Sequence, residues 1–190
     1  LKLFDFGMGW GKWLRMASAF GIDTYGSELS QSRITYARKF GIKIIDWDDL
    51  FNHQFDLINA EQVFEHIPDP LGTLMHLKKI MRPGGLIKIS VPNGSDIKKR
   101  LKKQDWTADK TAKTSLNAVS PLEHINCFNQ NSLIKMASKA GLTRFKMPLS
   151  VQYSLVGYDG SLTSFAKDLV RPIYRNYFRG TYLFFGSASS

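Results

Sequence analysis

A doubly wound α/β fold with a mainly parallel sheet is predicted by three features of this sequence. Short apolar runs alternate with amphipathic stretches at a spacing that suits right-handed strand–helix–strand crossovers. A glycine-rich turn, Gly7-Met8-Gly9-Trp10-Gly11, separates the first strand from the first helix. An acidic residue, Glu28, closes the second strand about twenty residues past that turn, where a nucleoside-binding sheet places a carboxylate.

The elements follow in order. Residues 1–6 are apolar-rich without Gly or Pro and read as a strand. Chains rarely begin inside a buried strand, so N-terminal truncation is expected. Over 12–20, Trp13, Leu14, Met16, Ala17 and Phe20 repeat with helical spacing, and Gly21 caps the helix. Residues 23–27 form a second strand. Ser30 is a candidate N-cap for a helix to about Phe40, closed by Gly41. Residues 41–45 and 55–59 are the third and fourth strands, divided by Asp46-Trp47-Asp48-Asp49. Asp69-Pro70 opens a helix through Met81, Arg82-Pro83-Gly84-Gly85 turns the chain, and 86–91 is the fifth strand. Beyond Asn93 the pattern loosens: a polar, basic segment over 95–114, a helix over 131–140, and late strands over 143–153 and 181–186.

Composition bounds the function. The 190 residues suit one domain, and 43% apolar with 22% charged residues is globular rather than disordered. We expect a cofactor-binding half over 1–93 and an acceptor-side half with a basic insertion over 94–190. No run reaches the roughly 18 apolar residues of a membrane span. The single cysteine, Cys127, excludes an internal disulfide, and a reducing cytoplasm is the expected compartment. The net charge of +10 favours anionic partners. Lys98, Lys99, Arg100, Lys102 and Lys103 form one cluster, which reads as a solvated helix face or a guide for an anionic substrate. Arg171, Arg175 and Arg179 interleave with Tyr174, Tyr177, Phe178, Tyr182, Phe184 and Phe185. Such a mixture can touch a membrane surface or nucleic acid. A covering helix and a last strand are the preferred reading.

Glycines let a backbone turn tightly and approach a ligand, and the next helix presents free N–H groups to it. The spacing here is G-x-G-x-G, not the G-x-G-x-x-G of dinucleotide folds. The Gly-Lys-Ser/Thr ending of a phosphate loop is absent. Trp10 either lids the ligand or packs against the sheet. His66 and His124 fall on the carboxyl edge, where a group titrating near neutrality can take a proton. His53 and His76 read as solvated. Scattered histidines and one cysteine give no zinc spacing, so no metal is expected.

Phe4-Asp5-Phe6-Gly7-Met8-Gly9-Trp10-Gly11 resembles the first motif of class I S-adenosylmethionine methyltransferases. Glu28, Asp46-Trp47, Phe55-Asp56-Leu57-Ile58, Phe64-Glu65-His66-Ile67-Pro68-Asp69-Pro70 and Arg82-Pro83-Gly84-Gly85 follow in that family's order. The Glu-His-Ile-Pro-Asp-Pro run is similar to the subgroup holding the ubiquinone-biosynthesis O-methyltransferases. The resemblance implies a Rossmann-like seven-stranded sheet with helices on both faces and an antiparallel last strand, supplied by Tyr182-Leu183-Phe184-Phe185. It implies S-adenosylmethionine as cofactor. Asp5, Gly7, Met8 and Gly9 would frame its methionine end, with Ala60 and Glu61 nearby. Glu28 would hold the ribose, Leu29 would flank the adenine, and Asp46 and Trp47 would face the ring. The acceptor would be a small molecule, methylated first of all at oxygen; an anionic, glycan or lipid-linked acceptor fits the basic surface. A nicotinamide-dependent oxidoreductase and a non-catalytic cofactor- or RNA-binding module are the rival readings.

Overall fold

The computed structural model describes residues 1–110, 112–154, 156, 161–177 and 180–187. Its strands are β1 (Lys2–Phe6), β2 (Asp23–Ser27), β3 (Lys43–Ile44), β4 (Phe55–Glu61), β5 (Met81–Ser90), β6 (Leu142–Phe145) and β7 (Tyr182–Ser187). They form one sheet in the order β3-β2-β1-β4-β5-β7-β6. β1 to β5 pair in parallel, and β7 runs antiparallel between β5 and β6. The strand order reverses at β1, so the crevice between the carboxyl ends of β1 and β4 is the switch point where open sheets bind ligands.

The helices are α1 (Lys12–Ala19), α2 (Gln31–Arg38), α3 (Pro70–Lys79), α4 (Ile97–Lys103), α5 (Gln130–Lys139), α6 (Leu149–Ser154) and α7 (Leu162–Tyr177). Successive strand residues face opposite sides. Leu3 joins Leu14, Ala17 and Ala37 beneath α1 and α2, whereas Phe4 joins Ile58, Leu74, Leu77 and Leu133 beneath α3 and α5. Both faces are therefore covered, and the strands read as apolar runs for that reason. Asp69 caps α3 by accepting from the Gly72 N–H at 2.9 Å, with Pro70 in the first turn. Asn129 and Ser132 cap α5 reciprocally.

Several boundaries differ from the sequence reading. β3 keeps only Lys43 and Ile44, because it is an edge strand and the acidic stretch after it winds into a 3-10 turn over Trp47–Asn52. Helix α3 stops at Lys79, and Met81 already pairs with Phe55. Arg82 to Gly85 then bulge out before Leu86 pairs with Leu57. The Arg82 guanidinium holds this bulge, 3.0 Å from both oxygens of Asp56. The expected late strand over 143–153 is a strand only to Phe145; residues 149–154 form α6. β6 is the sheet edge, so a longer strand would have no partner on that side, whereas a helix bonds its own backbone.

The basic cluster is divided. α4 exposes its lysines, while Arg100 turns inward and donates to the carbonyls of Asn93 and Ser115 at 2.5 and 2.7 Å. Near the C-terminus, the covering helix and last strand are present as α7 and β7, with Pro172 inside the helix and Arg171 paired to Asp168. Phe178 and Arg179 lie outside the described residues, as do the side chains of Arg175 and Tyr177. Among the described residues no helix is long and apolar enough to cross a membrane.

Candidate cofactor and acceptor site

The glycine loop leaves β1 and enters α1 with Gly7, Gly9 and Gly11 all at positive φ, 71°, 57° and 66°. Its glycines differ in surroundings. A Cβ on Gly11 would lie 2.6 Å from Ile42 Cδ1, so this position serves close packing of the loop on α2 and on the residue before β3. A Cβ on Gly9 would meet nothing within 4 Å, so this position faces open space. Gly7 lies against Val63 from the loop after β4. The Met8 side chain is buried beside Gly26 and Leu14, which leaves only its backbone for a ligand. The Trp10 ring is half exposed and meets Tyr36 of α2 edge-on at 5.3 Å.

Glu28 is fastened to this loop. Its Oε2 accepts the Gly9 N–H at 3.0 Å, and its Oε1 accepts the Leu29 and Ser30 N–H groups at 2.9 and 3.0 Å. Arg33 Nη1 lies 3.5 Å away. The carboxylate is thus positioned between the glycine loop and the start of α2. Leu29 is fully exposed beside it. Asp46 is exposed at the N-cap of the 3-10 turn, with no side-chain capping bond. Trp47 is partly exposed, its ring 5.4 Å from Phe6 and 5.8 Å from His76, so the three make an apolar wall at the ends of β1 and β3. His76 is therefore no solvated residue; nor is His53, which packs on Tyr25 and Phe55.

Beneath the loop runs a buried polar row that the sequence reading missed. Asp5, Asn59 and Lys88 occupy matched positions on β1, β4 and β5. Asn59 Nδ2 donates to Asp5 Oδ1 at 2.6 Å, and Asn59 Oδ1 is buried without a hydrogen-bond partner. Burial pushes the Asp5 carboxyl up to about 7, against the pull of Asn59 and Lys88. Lys88, with its side chain 4% exposed, pairs with Glu61 at 2.6 Å and lies over the Tyr182 ring. The signal was a lysine in the middle of the apolar run Leu86-Ile87-Lys88-Ile89. Ala60 is fully buried, so only its backbone reaches the edge, whereas Glu61 is exposed.

After β4 the chain turns at Gln62, a non-glycine residue at φ 54° whose N–H donates to the Ser90 carbonyl. The next turn carries Glu65 and His66. The fold brings His124 against them: the two imidazoles meet edge to face at 4.8 Å. His66 Nδ1 lies 2.6 Å from the Glu123 carbonyl. Glu65, His66 and His124 each offer one ligand atom within 4.8 Å of the others. This grouping is tertiary and leaves no trace in local spacing. A separate cavity of about 370 Å³ lies between β6, β7, α6 and α7.

The methyltransferase domain family matches residues 1–145. This chain belongs to that family. The methyltransferase domain is similar to the ubiquinone biosynthesis O-methyltransferase of Cereibacter sphaeroides, 30% identical over 103 residues, covering 49% of this chain and 42% of that protein. It is similar to that of Aliivibrio fischeri, 24% identical over 103 residues, covering 48% and 44%. The chain thus spans less than half the length of these relatives. Among solved structures, a SAM-dependent methyltransferase from Archaeoglobus fulgidus superposes with a TM-score of 0.59 at 16% identity, covering 97% of this chain and 84% of that one. PKMT2 from Rickettsia typhi superposes with a TM-score of 0.61 at 14% identity, covering 98% and 48%. The expected class I fold is borne out, and the family match favours a methyl donor over a nicotinamide dinucleotide. S-adenosylmethionine is the cofactor of this domain, and the site fits it: open space over Gly9, a carboxylate fastened beside it, and a buried orphan acceptor on Asn59.

Proposed function

We propose that this methyltransferase domain transfers a methyl group to a hydroxyl of a small acceptor, and that the acceptor meets the cofactor beside His66 and His124. The observation that carries this is the tie between Glu28 and the Gly9 N–H, which holds a sugar-binding carboxylate against an open glycine turn on the same edge as two histidines. S-adenosylmethionine supplies a methyl made electrophilic by its sulfonium. The chain's own residues do the rest.

Glu28 binds the ribose hydroxyls. A carboxylate has about four lone-pair sites, and three N–H groups and Arg33 already use them. Ribose hydroxyls therefore take over the place of Arg33 or the Gly9 N–H. Trp47 and Phe6 wall the adenine, with Leu29 on the other side and Asp46 directed at the ring edge. Asp5, Gly7, Gly9 and Glu61 frame the methionine end, with the Met8 and Ala60 backbones. Displacement at the methyl needs acceptor, carbon and sulfur in a row, so positioning carries much of the rate. A hydroxyl must also lose its proton. Burial lowers the His124 pKa, so that ring is neutral at physiological pH and able to accept one.

The names of the two relatives support oxygen as the acceptor atom and a precursor of ubiquinone type as acceptor class. Exposed Lys98, Lys99, Lys102 and Lys103 on α4, beside the same edge, favour an anionic or lipid-linked acceptor. Transfer of labelled methyl from S-adenosylmethionine to a panel of phenols tests the reading. His66→Ala and His124→Ala are expected to leave S-adenosylhomocysteine affinity unchanged, and at least one to lower turnover by about 10²–10⁴-fold. Turnover undiminished from the parent protein in both variants contradicts a histidine role. Transfer to nitrogen acceptors alone contradicts the choice of oxygen.

A further inference from the structure

The proposed methyl transfer leaves one buried ionisable group without a task. Glu65 is 1% exposed, and neither of its carboxylate oxygens has a hydrogen-bond partner. Burial pushes its carboxyl above the usual range. A buried, unpaired carboxylate is costly and calls for a partner.

Two imidazoles stand ready beside it. The Glu123 carbonyl only accepts, so the proton sits on His66 Nδ1 and the lone pair on Nε2. That Nε2 lies 4.0 Å from Glu65 Oε1. His124 Nδ1 is buried and has no partner, while the ring's other nitrogen bonds the Asn117 backbone. Both rings therefore keep a lone pair on the inner side, each fixed by a backbone carbonyl behind it, as histidines that hold metals are. The scaffold is fixed too. The Glu65 carbonyl accepts the Ile125 and Asn126 N–H groups at 3.0 Å each, and Asn126 Nδ2 donates to the Ile67 carbonyl at 2.6 Å. These bonds stitch the His124 loop to the turn that carries Glu65 and His66.

We propose that Glu65, His66 and His124 bind a divalent transition-metal ion. Two imidazoles and one carboxylate suit Zn²⁺, Mn²⁺, Fe²⁺ or Co²⁺, whereas Mg²⁺ and Ca²⁺ prefer all-oxygen sets. Ligand atoms within 4.8 Å of one another need only side-chain rotation to reach metal–ligand distances of about 2.0–2.2 Å. Three protein ligands leave a further position free, on the exposed side of His66. An acceptor hydroxyl held there loses its proton more readily, so with the ion bound this effect takes the place of proton uptake by His124. In that consequence the inference rests on the proposed methyl transfer; ion binding itself does not.

Titration of metal-free protein with Zn²⁺ alone, without cofactor or acceptor, tests it by calorimetry, with Co²⁺ as a visible-absorption probe. One ion per chain is expected, with d–d bands for Co²⁺, and affinity is expected to fall by about 10–100-fold or more in Glu65→Gln and His124→Ala. Circular dichroism checks that the variants fold. Should Glu65→Gln unfold, His66→Ala carries the test, because His66 is exposed. Absent binding, or binding that survives loss of both histidines, overturns the site. S-adenosylhomocysteine titrated into the same samples separates the two readings: cofactor binding without ion binding removes only the metal site, and ion binding without cofactor binding removes only the methyl-transfer reading.

Discussion

Asp5 shows how one residue can couple folding to function. Burial raises its carboxyl from 3.8 to about 7. In the unfolded chain it ionises near the lower value, so between the two the native state holds a proton that the unfolded chain has released. Its contribution therefore makes stability fall as pH rises from 3.8 to about 7, and it is level above that. Asp56 acts in the opposite sense in acid, since the Lys2 N–H and then Arg82 hold its carboxyl below the usual range. Asp5→Asn is expected to flatten the decline of melting temperature across the Asp5 window; an unchanged slope in thermal melts would contradict the assignment. A proposed partner for Asp5 is the cofactor's ammonium group, which favours the ionised carboxyl and so pulls its pKa back down. Little of this was legible beforehand. The motif placed Asp5 at the strand end, but the Asn59 bond and the Lys88 charge that tune it come from neighbouring strands.

Elements were legible where a single periodicity ruled them. The glycine turn, the helix behind it and the capped α3 and α5 follow from local chemistry, and the structure keeps them. Residues 149–154 misled because their alternation suits a strand, and only the missing neighbour beyond β6 decides for α6. His66 and His124 were each legible as candidates on the carboxyl edge, yet their contact depends on Glu65 binding the loop that carries His124. The glycine loop yields a paired prediction. Valine at Gly9 or Gly11 adopts an unfavourable positive φ, costing about 1–3 kcal/mol. Gly9→Val meets open space, so it is expected to fold and to lose S-adenosylhomocysteine binding. Gly11→Val also strikes Ile42, so its melting temperature is expected to fall further. Equal melting temperatures with cofactor binding intact in both would contradict this division of labour.

For the whole molecule, sheet order gives the site its place. Reversal at β1 opens a crevice at the carboxyl ends, and the glycine loop, Glu28, Trp47, Glu61, His66 and His124 all lie on loops or strand ends at that edge. Both faces of the sheet are occupied by helices, which leaves this edge as the natural approach for a ligand. We propose that the segment after β5, where α4 exposes its lysines, meets the acceptor. On the proposed reading, this edge holds an adenosyl cofactor by its ribose. Calorimetric titration of S-adenosylhomocysteine into the folded chain, with NADH as control, tests it most directly. Saturable one-to-one binding of S-adenosylhomocysteine alone is expected, weakened by about 1–3 kcal/mol in Glu28→Ala. A folded chain that ignores S-adenosylhomocysteine, or binds it equally well without Glu28, would contradict it.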